Sequence, residues 1–384
     1  MRRYHQLAWG MTLMVIVAAF ADEPSTAEPK TTDSAHENNA YELPKVLQSL
    51  ATIIPALAEK RVVFIGESHD RFDHHLNQLA VIKRLHEQNP HWVIGLEFFQ
   101  QPYQEYLDAY IAGAIDERTF LEKTEYFERW RFDYRLYRPI LQYAQEQGIP
   151  LLALNIPNEI SRKVGRSGLA ALTEQERVWV PETIDKSDLE YRERLKKVFE
   201  EHAGFDEGNF ENFLEAQLLW DEAMAQRAAE YLKEHPSQSM IILAGSGHLA
   251  YGSGIPQRLQ RRLEAEAATA LLLQNDTEDT DQRGADYVLM TNNRELPPAG
   301  RIGVMLEVAD EGMNIQGIIP ESAAQSAGLQ TNDKIIAIDE QPVQSMQDVR
   351  LAMLDRVPGQ TITVMIKRMI DKTQNQLSLR ITLQ

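Results

Sequence analysis

Apolar residues along this chain recur in two rhythms, and their alternation predicts the architecture. Short continuous runs, RVVFI at 61, HWVIGLE at 91, IPLLALN at 149 and SMIILAG at 239, are rich in β-branched, aromatic and leucine side chains. Unbroken hydrophobicity of that length suits strands covered on both faces of a parallel sheet. Between them lie stretches with apolar positions three and four apart, as in HHLNQLAVIKRLHEQ, the spacing of an amphipathic helix. Strands alternating with helices predict an α/β domain built on a mostly parallel sheet with flanking helices. ADYVLM, ending near Thr291, is a further strand candidate.

Other segments follow different patterns. Residues 157–238 are charged and amphipathic, and DLEYRERLKKVFEEH and NFLEAQLLWDEAMAQRAAEYLKEH predict a helical insertion or cap. Residues 292–299, NNRELPPA, have linker chemistry because paired prolines interrupt regular structure. From 300 to 384 the runs shorten to GVMLEV, IQGIIP, DKIIAID and TITVMIKR, with one helix predicted at SMQDVRLAMLDRV, so a small mainly-β domain closes the chain. Residues 22–40 are polar and acidic with Pro, Ser and Thr, the composition of a disordered lead-in.

Residues 1–21 carry Arg2 and Arg3, an apolar stretch from about Leu7 to Phe20, and the small-residue sequence AFA. These are the three parts of a secretory signal peptide, with cleavage expected after Ala21 and residence in the periplasm. An uncleaved N-terminal membrane anchor is the competing reading, although the run is short for a bilayer span.

The formal charge of −18 argues against general nucleic-acid binding, which needs a basic face. The absence of cysteine excludes disulfides, thiolate metal sites, a thiol nucleophile and lipoprotein acylation. Any metal must therefore use His, Glu, Asp or Tyr.

In open parallel sheets ligands bind beyond the carboxyl ends of the strands. Here the first strand delivers Glu67 and His69 in IGESHD, the second Glu97, the third Asn155 and the fourth His248 in GSGHLAYG. Imidazole and carboxylate from distant parts of the chain thus meet at one rim, a donor set suited to a first-row metal or an iron centre. Glycines at 66, 245 and 247 allow close backbone approach. His74 and His75 continue the first cluster onto the next helix, where first-turn polarity is the preferred account of them. In YFERWRFDYRLYRPIL, arginines alternate with aromatics, a strip suited to a flat anionic ligand, and Tyr137 is the residue singled out as a ligand candidate. LHEQNP lacks the second histidine of a zinc-protease helix, and neither a Walker loop nor a GxSxG elbow occurs.

The ordered series GESHD, GLEFF, YLDAYIAG, YRPILQYAQEQGIPLLALNIPNEISRKVGRSGLAAL, AQLLWDEAMA and AGSGHLAYGSGIPQRL resembles the ChaN-like haem-binding uptake proteins of the Tiki superfamily over roughly 41–291. The resemblance implies an exported α/β protein of iron and haem acquisition, with haem held between two protomers as one arrangement. Glu67, His69, Glu97, Tyr137, Asn155 and His248 are then the cofactor-binding candidates. The wider superfamily implies an alternative, a metal-dependent peptidase or hydrolase in which His69 and His248 hold a divalent transition metal and Glu67 or Glu97 polarises water. Many ChaN-like proteins are lipoproteins, and the missing cysteine departs from that pattern. The segment from 300 resembles a bacterial PDZ domain, which implies a nest for a peptide carboxylate at Ile302, Gly303 and Val304 and a groove beside VMLEV. Asn332 stands where such domains usually carry glycine, a tolerable exchange because Asn also enters the left-handed region.

Overall fold

The computed structural model describes residues 39–42, 46–202, 207–263, 268–275, 284–291 and 294–384. The expected signal peptide, residues 22–38 of the expected lead-in and residues 292–293 of the linker lie outside the described residues; residues 39 and 40 open a strand.

The α/β half begins with strands β1 (Asn39–Glu42) and β2 (Val46–Ser49), helix α1 (Leu50–Ala58), β3 (Val62–Glu67), α2 (Phe72–Gln88) and β4 (Trp92–Gln100). Helices α3 (Gln104–Ile111), α4 (Glu117–Lys123), α5 (Tyr126–Arg129) and α6 (Tyr134–Gln147) lead to β5 (Leu151–Asn155). Then come α7 (Asn158–Ser167), α8 (Leu189–His202), α9 (Glu207–Glu234), β6 (Ser239–Gly245), α10 (Ile255–Arg262), β7 (Thr269–Asn275) and β8 (Tyr287–Met290). The sheet order is β2-β1-β8-β7-β3-β6-β4-β5. Strands β8 through β5 are parallel, and β1 pairs antiparallel with both β8 and β2.

Strand periodicity divides the core into two. Val63, Ile65, Ile94 and Leu96 face one way, against α1, α2 and α6, while Val62, Phe64, Val93 and Leu152 face α7, α9 and α10. The predicted cap proves to be two different things. Helix α9 lays Ala225, Ala228, Ala229 and Leu232 against the sheet as a layer helix, whereas α8 packs Tyr191 and Phe199 on Phe210 and Leu214 in a small satellite cluster. The sequence reading overlooked β7, whose TALLLQN continues an Ala-rich helical pattern and so carries no sharp change of period.

The C-terminal half comprises β9 (Val304–Val308), β10 (Met313–Ile318), α11 (Ala323–Ser326), β11 (Lys334–Ile338), β12 (Gln341–Pro342), α12 (Met346–Met353), β13 (Thr361–Ile370) and β14 (Thr373–Thr382). Its antiparallel sheet runs β14-β13-β11-β10-β9, leaving β9 on an edge. Asn332 has φ +72°, so the left-handed conformation expected of it is present.

The two halves are docked rather than merely tethered. Leu351 of α12 is 6% exposed and belongs to the same apolar cluster as Tyr126 and Phe127 of α5. Gln347 Nε2 donates to the Glu122 carbonyl at 3.3 Å, Arg350 Nη1 to the Phe127 carbonyl at 3.2 Å, and Arg118 Nη1 to Gln341 Oε1 at 2.9 Å. Arg138 bridges Glu117 and Asp355. Removing the Leu351 side chain leaves a cavity at this seam. Leu351→Ala is expected to destabilise the full chain by roughly 2–5 kcal/mol in denaturant unfolding, while the exposed Met369→Ala stays within about 0.5 kcal/mol.

Candidate functional site

Glu67 is the last residue of β3, and its buried carboxylate collects donors from three elements. His69 Nδ1 lies 2.8 Å from Oε1, the Tyr137 hydroxyl from α6 donates to Oε1 at 2.8 Å, and Gln78 Nε2 from α2 donates to Oε2 at 2.7 Å. His75 Nδ1 sits 3.3 Å from Oε2, and its Nε2 donates to the His69 carbonyl at 3.2 Å. Burial by itself would raise the Glu67 carboxyl, but His75 and then the hydrogen bonds from His69 and His75 hold it well below the usual carboxylate range. His75 is shifted upward in return, because the attraction of Glu67 outweighs a burial effect of opposite sign.

An ionised carboxylate only accepts, so His69 Nδ1 carries a proton and donates to Glu67, which leaves Nε2 as the ring nitrogen turned away from that carboxylate. That Nε2 is buried and has no hydrogen-bond partner among the described residues. It faces Glu97 Oε1 at 4.0 Å. The ring is walled by Trp130, edge-on at 4.8 Å between centroids, and by Phe132 at 5.0 Å.

Glu97 lies in β4 where the pairing with β5 slips between Leu96 and Gln100, an irregularity that re-aims a side chain. Asn155 Nδ2 donates to the Glu97 carbonyl at 3.0 Å in place of a ladder bond. The Glu97 carboxylate accepts the Gly245 amide at Oε2, 2.6 Å, and lies 3.4 Å from His248 Nε2 through Oε1. His248, on the turn after β6, places Nδ1 2.5 Å from Asp221 Oδ1 of α9, and Asp221 also accepts the Tyr191 hydroxyl at 2.5 Å. Burial pulls His248 down, but the charges of Glu97 and Asp221 outweigh it and push the ring up to about 9. Burial first, and then Asp221, raises Tyr191 well above the ordinary phenol range.

The structure therefore brings Glu67, His69, Glu97 and His248 to one rim, with His69, Glu97 and His248 only 5%, 3% and 5% exposed. Asn155 and Tyr137 are also there, each engaged in positioning. Burial, followed by the Glu67 charge, keeps the Tyr137 phenol well above 10 and so protonated. His74 Nδ1 accepts the Ser68 amide at 2.9 Å, a local turn role. Sequence reasoning missed Gln78, Asp221 and Tyr191, weighed His75 as helix polarity, and offered the strip that holds Trp130 and Phe132 as a ligand surface without placing those two against His69. One signal was available: the acidic pair in LLWDEAMA interrupts an apolar helix face, and buried carboxylates occur only with partners.

In the C-terminal half, Ile302 and Gly303 form the turn before β9. Gly303 has φ +85°, and a Cβ there would lie 2.3 Å from that of Ser322, so the turn requires glycine. The Ile302 carbonyl accepts Ala324 N–H at 2.8 Å, and the Gly303 carbonyl accepts Ile319 N–H at 3.0 Å, which anchors the expected carboxylate nest that ends at Val304.

A family model described as haem-binding uptake, Tiki superfamily, ChaN matches residues 53–259, and a PDZ domain model matches residues 300–382. A solved structure described as cofacial heme binding to ChaN of Campylobacter jejuni aligns with a TM-score of 0.55 and 18% identity over 66% of this chain and 97% of that one, a likeness of fold. An erythromycin esterase in its open conformation reaches a TM-score of only 0.37 at 15% identity, over 63% of this chain and 78% of that one. The chloroplastic protein RETICULATA-RELATED 5 of Arabidopsis thaliana is 22% identical over 255 residues, which are 60% of this chain. This chain spans about a third of that relative's length, 34%. The hydrolase alternative is not favoured: the matching family is the haem-binding one, and among the described residues no group of three or more His, Asp or Glu is placed to hold a metal ion.

Two outcomes follow from this geometry. A Cβ at residue 245 would stand 2.9 Å from His69 Cε1 and Nε2, a ring pinned by Glu67, so Gly245→Ala should cost about 1–3 kcal/mol in denaturant unfolding. Because folding raises His248 from 6.5 to about 9, its charged form stabilises the fold fully below pH 6.5 and progressively less as pH rises through 9. The melting temperature of the parent should fall across that window, and Asp221→Asn should lower the melting temperature at neutral pH and flatten this dependence.

Proposed function

On the premise that the chain belongs to the ChaN family of haem-binding uptake proteins in the Tiki superfamily, we propose that it binds haem at the strand-end site and serves haem or iron acquisition outside the cytoplasm. The observation that carries this reading is His69: a buried imidazole, oriented by a carboxylate through Nδ1, with an unpartnered Nε2 beneath an aromatic wall. A carboxylate–histidine pair of this kind fixes the tautomer and raises the basicity of a metal-binding nitrogen. Haem, if bound, would be held by His69 and would supply an iron centre to that nitrogen and a flat apolar surface to the aromatic side chains.

The residues fit such a group. His69 is the nitrogen donor available, while Tyr137 keeps its proton and orients Glu67. Trp130, Phe132 and Phe98 supply aromatic surface, and Arg131 lies on the same strip to meet carboxylates, whereas Arg129 is already paired with Glu125 and Glu159. Support for export is the tripartite pattern of residues 1–21; among the described residues no helix is long and apolar enough to cross a membrane. The PDZ domain adds an interaction module, and we assign to its β9 edge the C-termini of peptides or partner proteins. A homodimer enclosing the ligand is the assembly this reading favours.

Titration of the purified full chain with haemin tests the proposal. A saturable Soret shift is expected, absent in His69→Ala, with Glu67→Gln weakening affinity by about 10- to 100-fold. A spectrum equal to the sum of haemin and protein overturns it.

A further inference from the structure

The candidate donor His69 is enclosed, and the wall that encloses it is held by the C-terminal domain. A macrocycle reaches His69 only if Trp130 and Phe132 move, because His69, Glu97 and His248 are almost fully buried. Both wall residues follow directly on the four-residue helix α5. This helix is bracketed by two non-glycine residues in the left-handed region, Glu125 at φ +50° and Arg131 at φ +73°. Such outliers persist where surrounding contacts hold them, and they cluster in segments that switch.

What holds the segment is α12. Arg350 Nη1 donates to the Phe127 carbonyl at 3.2 Å, with the guanidinium 5.8 Å from the Phe127 ring centroid. Gln347 fastens the end of α4 through the Glu122 carbonyl. The same helix lines the PDZ groove. Met346, Arg350 and Met353, spaced four and three apart, share a face of α12, the helix touches the edge strand β9, and the half-buried Val304 and Leu306 of β9 pack against the same core as Met346 and Met353. An open strand edge beside an apolar trench, headed by the glycine turn at Gly303, takes an extended peptide that ends in a free carboxylate.

We propose that α12 is a latch on the haem-site wall, and that a C-terminal peptide seated between β9 and α12 draws Arg350 off the Phe127 carbonyl and so opens the site. The inference rests on the haem reading above and adds its regulation: peptide and haem bind cooperatively, each tightening the other by one common factor.

The probe is a phage library of random decapeptides with free C-terminal carboxylates, panned on the full chain, and then the enriched peptide with its C-terminally amidated copy as control. Saturating free-acid peptide should tighten haemin binding about fivefold or more, haemin should tighten the peptide equally, and the amidated copy should do neither. Arg350→Met should bind haemin about fivefold tighter than the parent without any peptide, a gain that a merely damaged fold would not produce. Haemin affinity unchanged by saturating peptide, equal or weaker affinity in Arg350→Met, or failure to enrich any free-acid peptide each overturns the latch. If haemin binds under no condition, the haem reading fails. The latch is then decided by fluorescence: a peptide-induced change present in the parent and lost in Trp130→Phe sustains it, and no change refutes it.

Discussion

The buried carboxylate of Glu67 is the interaction on which this site depends. A carboxylate removed from water at the end of a central parallel strand is costly unless its lone pairs are used, and here His69, Tyr137, Gln78 and His75 use them. The arrangement fixes more than one charge. It sets the tautomer of His69, ties α2 and α6 to the tip of β3, and fills the space beneath the wall with groups that cannot rearrange independently. A second carboxylate, Glu97, does the corresponding work across the rim, holding the amide of Gly245 and facing His248, which Asp221 supports from behind.

These two networks differ in character. The Glu67 side leaves an imidazole nitrogen, His69 Nε2, without a partner among the described residues, a condition for ligation. On the Glu97 side an imidazolium sits between two carboxylates, a condition for electrostatic stability. The asymmetry explains why His69 and His248, each three residues after a glycine, need not share a role. Docking of the PDZ domain onto α4 and α5 adds a mechanical constraint to the chemical one, since the wall over His69 belongs to the segment that α12 grips.

Much of this was legible beforehand. The strand runs at 61, 91, 149 and 239 all became parallel strands, and the rule that ligands gather at strand carboxyl ends singled out Glu67, His69, Glu97 and His248 before any contact was known. Asn155 was found too, but its amide serves the Glu97 backbone. Tyr137 was chosen for a phenolate, and burial beside Glu67 keeps it a phenol. Residues that act from helices, such as Gln78 and Asp221, escaped notice because helical period says which face is buried and not what that face meets.

By itself the sequence determined the alternation of elements, the family, the PDZ module and the identity of the groups at the strand ends. Those features are local: they follow from periodicity, glycine placement and residue chemistry within short windows. Only the tertiary structure decided which nitrogen of His69 is free, which carboxylates raise His75 and His248, and that α12 of the C-terminal half reaches the backbone of α5. Protonation and exposure depend on neighbours tens to hundreds of residues away in the chain, as with Glu67 and Tyr137 or Phe127 and Arg350, and no window of sequence contains both members of such a pair.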